Sequence, residues 1–370
     1  MNVSATVSRL RNAVPKAVPT AVSVAVGKLA RQATKIRGGG GSAFPGLVVE
    51  RLDPSFLARS LAGLPHGVVV VSGTNGKTTT TKMVVELLQG QGLTVFTNRS
   101  GSNFTRGVVA SLLGEVGLNG WLTADIAVLE LDEAHAVHFV KAVAPDHSLL
   151  LNVMRDQLDR FGEIDTTADL LRTIATHTTS GVVLNREDPR VRRIADALSA
   201  QTVTYFGLDA SLHKHFPSDD DFHGSAMSYP DAAATLPEAA VTLTGLTPTG
   251  GSFNLSGREI STTLQVNGAY NTYNAAAALA LVDQVLGGAI NEDALVKSLA
   301  AVSPAFGRGE SLTVNGQPLD LVLVKNPAGF RLGLSSFAPT GVASMIAIND
   351  NYADGRDMSW LWDVSFESLA

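Results

Sequence analysis

The segment Val69-Val70-Val71-Ser72-Gly73-Thr74-Asn75-Gly76-Lys77-Thr78-Thr79-Thr80 leaves this chain the fewest folding options. An apolar run enters a glycine-rich turn, Gly-Lys-Thr follows, and a helical pattern with Val84, Leu87 and Leu88 on one face begins at once. Glycines in such a turn let backbone N–H groups converge on phosphate oxygens, and the helix N-terminus adds partial positive charge. Lys77 is then placed for the β- and γ-phosphates and the Thr78 hydroxyl for Mg²⁺. Position 71, where the strict phosphate loop has glycine, is valine, so this is the shorter G-x-x-G-K-T form. Gly73, Thr74, Asn75, Gly76, Lys77, Thr78 and Thr79 are the expected nucleotide-binding residues.

A magnesium ion held by one hydroxyl also needs a carboxylate. The run Ile126-Ala127-Val128-Leu129-Glu130-Leu131 reads as a buried strand with an acid at its carboxyl end, where α/β sheets place ligands. Glu130 is therefore the expected metal ligand beside Thr78. Asp132, Glu133 and His135 follow closely, and spacing does not rank them.

Buried-strand runs at 68–71, 126–131, 148–153 and 181–184 alternate with helical stretches at 77–89 and 167–176. That rhythm predicts an α/β fold with a mostly parallel, doubly wound sheet. It breaks near 205, where an irregular insertion to about 240 is expected. Alternating runs at 241–246 and 259–266 then predict a small antiparallel part, and 274–286 an alanine-rich helix. A further α/β segment starts near 306. The expected division is a basic leader at 1–43, a central ATP-binding domain at 44–305 and a partial C-terminal domain at 306–370.

Composition excludes several classes of function. The chain has no cysteine, so disulfides, thiol catalysis and thiolate metal sites are ruled out and zinc is not expected. His213, His215 and His223, near the acids at 219–221, meet no zinc-ligand spacing. No apolar run is long enough to span a bilayer. Residues 1–40 carry a charge of +7 without one acid, so the other 330 carry −13 of the overall −6. A basic leader on an acidic body argues against broad nucleic-acid binding and fits at most peripheral contact with an anionic membrane. The simplest expectation for it is a solvated basic helix that packs on the body.

Four segments, in order, resemble the Mur ligase family of ATP-dependent ligases of cell-wall synthesis. They are the loop at 72–80, Asn152-Val153-Met154-Arg155-Asp156-Gln157-Leu158-Asp159-Arg160, Gly268-Ala269-Tyr270-Asn271-Thr272-Tyr273-Asn274, and Phe306-Gly307-Arg308-Gly309-Glu310. The resemblance spans roughly 44–370. It implies adenine beside Asn271 and Asn274, and Arg308 near the nucleotide from a domain junction. As bare residues, those asparagines read equally well as turn or helix-capping positions.

Three details resemble the MurT branch of the family. Gln157 stands where most Mur ligases have histidine, Lys325-Asn326-Pro327-Ala328-Gly329-Phe330 replaces a Tyr-Ala-His segment, and a further signature runs from 347 to 360. This resemblance implies ATP-dependent amidation of the α-carboxyl of D-glutamate in the lipid II stem peptide, through an acyl phosphate, giving D-isoglutamine. Ammonia would come from a GatD-type glutaminase subunit in a heterodimer, in the cytoplasm at the inner face of the membrane. Typical MurT proteins carry a four-cysteine zinc ribbon near 205–240, which this chain cannot form. Many Mur ligases hold a second Mg²⁺ through a carbamylated lysine, but 156–180 contains no lysine. Residues 307–370 match about half of the usual closing domain, which implies a shortened form.

Asp350, Asp354, Asp357 and Asp363 crowd one turn-rich stretch. In the MurT branch an aspartate of this segment is thought to complete the glutaminase's Cys–His pair, orienting the histidine and stabilising its charged form. Asp354 is the first choice, then Asp357, with Asp350 also open. Competing readings are an amino-acid-adding Mur ligase or folylpolyglutamate synthase, and a truncated, non-catalytic nucleotide-binding subunit.

Overall fold

Val68–Ser72 is buried at every position, as a strand must be when helices cover both faces of its sheet. It is β1 of a computed structural model that describes residues 19–36, 43–98, 103–154, 164–216, 236–266, 268–304, 308–324, 326–337, 343–348, 361–362, 364 and 366. Helices α1 (Thr20–Ile36), α2 (Ala43–Leu52) and α3 (Phe56–Leu61) precede it. After it come α4 (Lys77–Gly90), β2 (Val95–Thr97), α5 (Thr105–Glu115), β3 (Ile126–Glu130), α6 (Glu133–Ala142) and β4 (His147–Leu150). The alternation continues through α7 (Ile164–His177), β5 (Gly181–Asn185), α8 (Pro189–Arg192) and β6 (Thr202–Leu208).

β7 (Val241–Thr247), β8 (Gly250–Leu255) and β9 (Arg258–Thr263) then complete a nine-stranded sheet in the order β2-β3-β1-β4-β5-β6-β7-β8-β9. Pairing is parallel through β7 and antiparallel for the last two strands. The expected α/β class and small antiparallel part are both present. Three strands of this sheet escape the sequence reading: β2 is only three residues long, β8 lies between the two runs expected to be antiparallel, and β6 runs on through Leu208, so the pattern breaks later than 205. Within the insertion, 217–235 lies outside the described residues, including His223 and the acids at 219–221.

The order places β1 between β3 and β4, with Val71 level with both Glu130 and Leu149. Their carboxyl ends therefore finish side by side, at the point where the strand order turns back. Helix α9 (Ala269–Leu286) packs against α4, and its fully buried Ala275, Ala276, Ala277 and Ala278 let it lie close to the sheet. The face of α4 predicted from Val84, Leu87 and Leu88 is the buried one. α10 (Glu292–Ala301) follows, then the hairpin of β10 (Arg308–Val314) and β11 (Gln317–Val322), and α11 (Pro327–Phe337). Asn315 and Gly316 turn that hairpin at positive φ, as a tight two-residue loop requires.

Contacts divide the chain into two compact units, Met1–Gly63 with Arg106–Thr123, and Leu64–Thr105 with Ala124–Ala370. The first contains α1, α2, α3 and nearly all of α5. Inside it Asp53 is buried against Arg59, 2.5 Å away; burial pushes its pKa up, but the bonds from Arg59 and Ser55 prevail and hold it below the usual carboxylate value. Part of the basic leader forms the helix α1. Lys28 turns inward beside the fully buried Val24 and donates to the Val116 carbonyl at 2.7 Å, while Val22, Leu29 and Ile36 face out. The cause is the close packing at Gly27: a Cβ there would lie 2.6 Å from both Leu113 and Val49.

Candidate nucleotide and magnesium site

The loop after β1 is shaped before any ligand arrives. Gly73 and Gly76 both have positive φ, +136° and +86°, which other residues adopt only with strain. Asn152, at the end of the neighbouring β4 segment, braces the loop from the side: its Oδ1 accepts from Asn75 N–H at 2.8 Å, its amide donates to the Asn75 carbonyl at 3.1 Å, and its own carbonyl accepts from Thr74 N–H at 3.0 Å. The Thr74 hydroxyl accepts from Met154 N–H at 3.1 Å. Thr79 is buried in the first turn of α4. A Cβ on Gly76 would sit 2.6 Å from Asn274 Oδ1. Gly76→Ala should therefore distort the loop, lower the melting temperature by a few degrees and weaken ADP binding by about tenfold or more; unchanged ADP titration would remove Gly76 from the site.

The fold brings Thr78 and Glu130 together. The Thr78 hydroxyl donates to Glu130 Oε1 at 2.8 Å, joining the N-terminus of α4 to the end of β3. Glu130 is buried, and its backbone is fixed by Asn98, which donates to the Glu130 carbonyl at 2.8 Å and accepts from its N–H at 2.9 Å. Asn98 thus continues the pairing of β2 and β3 by one side chain, a role with no sequence signature. A hydroxyl and one carboxylate are a donor set that fits Mg²⁺, which keeps several waters and takes phosphate oxygens for the rest. Among the described residues no three His, Asp or Glu side chains converge to hold an ion by themselves.

Lys77 is nearly enclosed. Its ammonium donates to the Gly73 carbonyl, to the Thr74 carbonyl at 3.3 Å, and to Glu133 Oε2 at 3.2 Å. Glu133 is buried in the first turn of α6, where the helix end favours an anion. The sequence left Glu133 unranked among the acids after β3, and only the packing of α6 selects it.

On the other side of the loop, Asn274 is buried next to Gly76, and Asn271 lies in the first turn of α9. The Tyr273 hydroxyl donates to Asn185 Oδ1 at 2.6 Å, and Asn185 donates on to the Leu151 carbonyl at 2.8 Å. Burial, then the charge of Glu187, raises the Tyr273 pKa well above its usual value, so the phenol remains a donor. His213 Nε2 is 2.9 Å from Glu187 Oε2, so this histidine belongs to a pair with Glu187.

Asn326 reaches the loop from far along the chain. It is fully buried, its amide donates to Asn75 Oδ1 at 3.0 Å, and its Oδ1 accepts from the Asn75 amide at 3.3 Å and from Gly329 N–H at 2.8 Å. One side chain thereby caps α11 and grips the phosphate loop. Arg308 opens β10, but its side chain lies outside the described residues, as do Asp350, Asp354 and Asp357.

Comparison with known proteins agrees with this geometry. A model of the Mur ligase middle domain matches residues 71–282, and one of the MurT ligase C-terminal region matches 323–370. The MurT subunit of lipid II isoglutaminyl synthase from Streptococcus pneumoniae R6 is 33% identical, over 90% of this chain and 77% of that subunit. Its counterpart from Staphylococcus aureus COL is 28% identical, over 95% of this chain and 82% of the subunit. Among solved structures, MurF ligase from Thermotoga maritima in complex with ADP superposes with a TM-score of 0.59 at 20% identity. That match covers 79% of this chain, which spans 60% of the MurF chain. The chain belongs to the Mur ligase family, in its MurT branch.

Proposed function

We propose that this chain is the ATP-dependent synthetase subunit of a lipid II isoglutaminyl synthase. It would amidate the α-carboxyl of D-glutamate in the stem peptide, with ammonia from a GatD-type glutaminase. The observation that carries the reading is the pairing of Thr78 with Glu130 at the mouth of a preformed phosphate loop.

A carboxylate is a poor electrophile and must first take up the γ-phosphoryl group of ATP; ammonia then attacks the acyl phosphate and phosphate leaves. Positioning and charge stabilisation account for most of such catalysis. Backbone N–H groups at the start of α4, around 76–78, hold the phosphates, and Lys77 exchanges part of its bonding to Glu133 for phosphate oxygens. Thr78 and Glu130 would hold Mg²⁺, which would supply positive charge to offset that of the phosphates. Asn271 and Asn274 are assigned to the adenine and Arg308 to the nucleotide from the C-terminal side. The division into 1–43, 44–305 and 306–370 belongs to the same proposal, with Asp354, Asp357 or Asp350 serving the glutaminase. Its place is the cytoplasm; no described helix is long and apolar enough to cross a membrane.

The test is amidation of lipid II with ATP, read by mass spectrometry as the loss of about one mass unit when hydroxyl becomes amide. With the partner, glutamine should support the reaction. Without it, high ammonium at mildly alkaline pH should support a slower one, because the partner only delivers the nucleophile. ATP-dependent addition of an amino acid instead of amidation, or no product under either condition, would overturn the reading.

A further inference from the structure

We propose that the outward face of α1 is a docking surface for an anionic lipid bilayer. Val22, Leu29 and Ile36 lie seven residues apart, which keeps them on one side of a helix, and they are 48%, 70% and 79% exposed. Ala33 is exposed between them, so the stripe is apolar along the length of the helix. The opposite side, with Ser23, Val24 and Gly27, is the buried one. A helix that turns its aliphatic stripe away from its own core has a second partner to cover it.

The neighbouring loop extends the patch. Lys28 bonds to Val116, and a Cβ on Gly120 would lie 2.4 Å from Thr20, so the stretch after α5 runs along α1. It presents Leu118 and Trp121, the latter 57% exposed. Tryptophan is the residue type most suited to the boundary between headgroups and acyl chains.

Charge selects the occupant. The unit containing α1 has ten basic residues against three acids, a net +7, while the other carries −13. Helix α1 itself holds Lys28, Arg31 and Lys35 and no acid. An aliphatic stripe on a strongly basic unit is the pattern of a surface that lies on an anionic interface, the apolar side chains entering it and the net charge drawing the unit there. The surface deepens the function proposed above, since a lipid-linked acceptor is presented at such an interface, but the stripe and the charge stand without that reading.

Sedimentation of the full-length protein with vesicles tests this. Vesicles of phosphatidylcholine with about one-third phosphatidylglycerol should carry the protein down, phosphatidylcholine alone should not, and salt should weaken the binding. Leu29→Glu/Ile36→Glu should reduce vesicle binding by about tenfold or more, with unchanged melting, unchanged ADP binding and unchanged ammonium-driven amidation of a water-soluble acceptor. Leu29→Ser should show a smaller loss in the same direction, which separates the effect from misfolding. A wild-type protein that stays in solution at low salt overturns the proposal. So does binding that the glutamates leave intact, which would assign it to the basic residues alone. Self-association abolished by the same pair, without vesicle binding, would assign the face to a second copy. Failure of soluble amidation would count against the ligase reading and leave the vesicle result standing.

Discussion

Lys77→Ala lowers ATP-dependent turnover by about 10²–10³-fold, the scale of removing one preorganised donor from an anionic transition state. ADP binding falls much less, because the backbone N–H groups at the N-terminus of α4 remain. The structure adds a second consequence. Glu133 is buried and bonded to Lys77 at 3.2 Å, so the substitution leaves an anion without its cation. Losing one partner of a buried pair costs about 3 kcal/mol or more, offset in part here by the positive end of α6. Lys77→Ala/Glu133→Gln should therefore regain most of the lost melting temperature while turnover stays low. Near-normal turnover by Lys77→Ala would remove the lysine from the reaction, and a double variant no more stable than the single one would trace the loss to packing.

Asp354→Asn lowers glutamine hydrolysis by the assembled complex on the order of 10³–10⁴-fold, as for other triads in which the acid is made neutral. The amide keeps nearly the same shape, so assembly should survive, but the charge assigned under the proposed function to the partner's imidazolium is gone. Ammonium-driven amidation continues, because Lys77, Thr78 and Glu130 belong to a different part of the chain. Measuring both activities on one preparation separates the two roles. If both fall together, Asp354 serves the ligase site or the fold; if neither changes, Asp357 and Asp350 become the candidates.

The residues readable from the chain were those whose partners are close in sequence or whose position follows a general rule. The phosphate loop is contiguous, and its glycines, lysine and threonine occupy the spacing their chemistry needs. Glu130 is 52 residues from Thr78, yet an acid at the end of an apolar strand is a recognisable position in an α/β sheet. Glu133, Asn98 and Asn326 had no such rule. Their partners are 56, 32 and 251 residues away, and an asparagine or glutamate in a loop or helix start is ordinarily a capping or solvated residue.

The short strand β2 went unseen for a related reason, since three residues are too few for a periodic pattern to stand out. Local order along the chain was enough to determine the alternation of strands and helices, the loop and the class of ligand it takes, because these depend on residues within one or two turns of each other. The pairing of Lys77 with Glu133, the grip of Asn326 on Asn75 and the side of α1 that faces outward were decided only by tertiary packing. In α1 the periodicity defines an apolar stripe but not its direction. Close packing of Leu113 and Val49 against Gly27 turns the side with Ser23 and Val24 inward and leaves Val22, Leu29 and Ile36 outside.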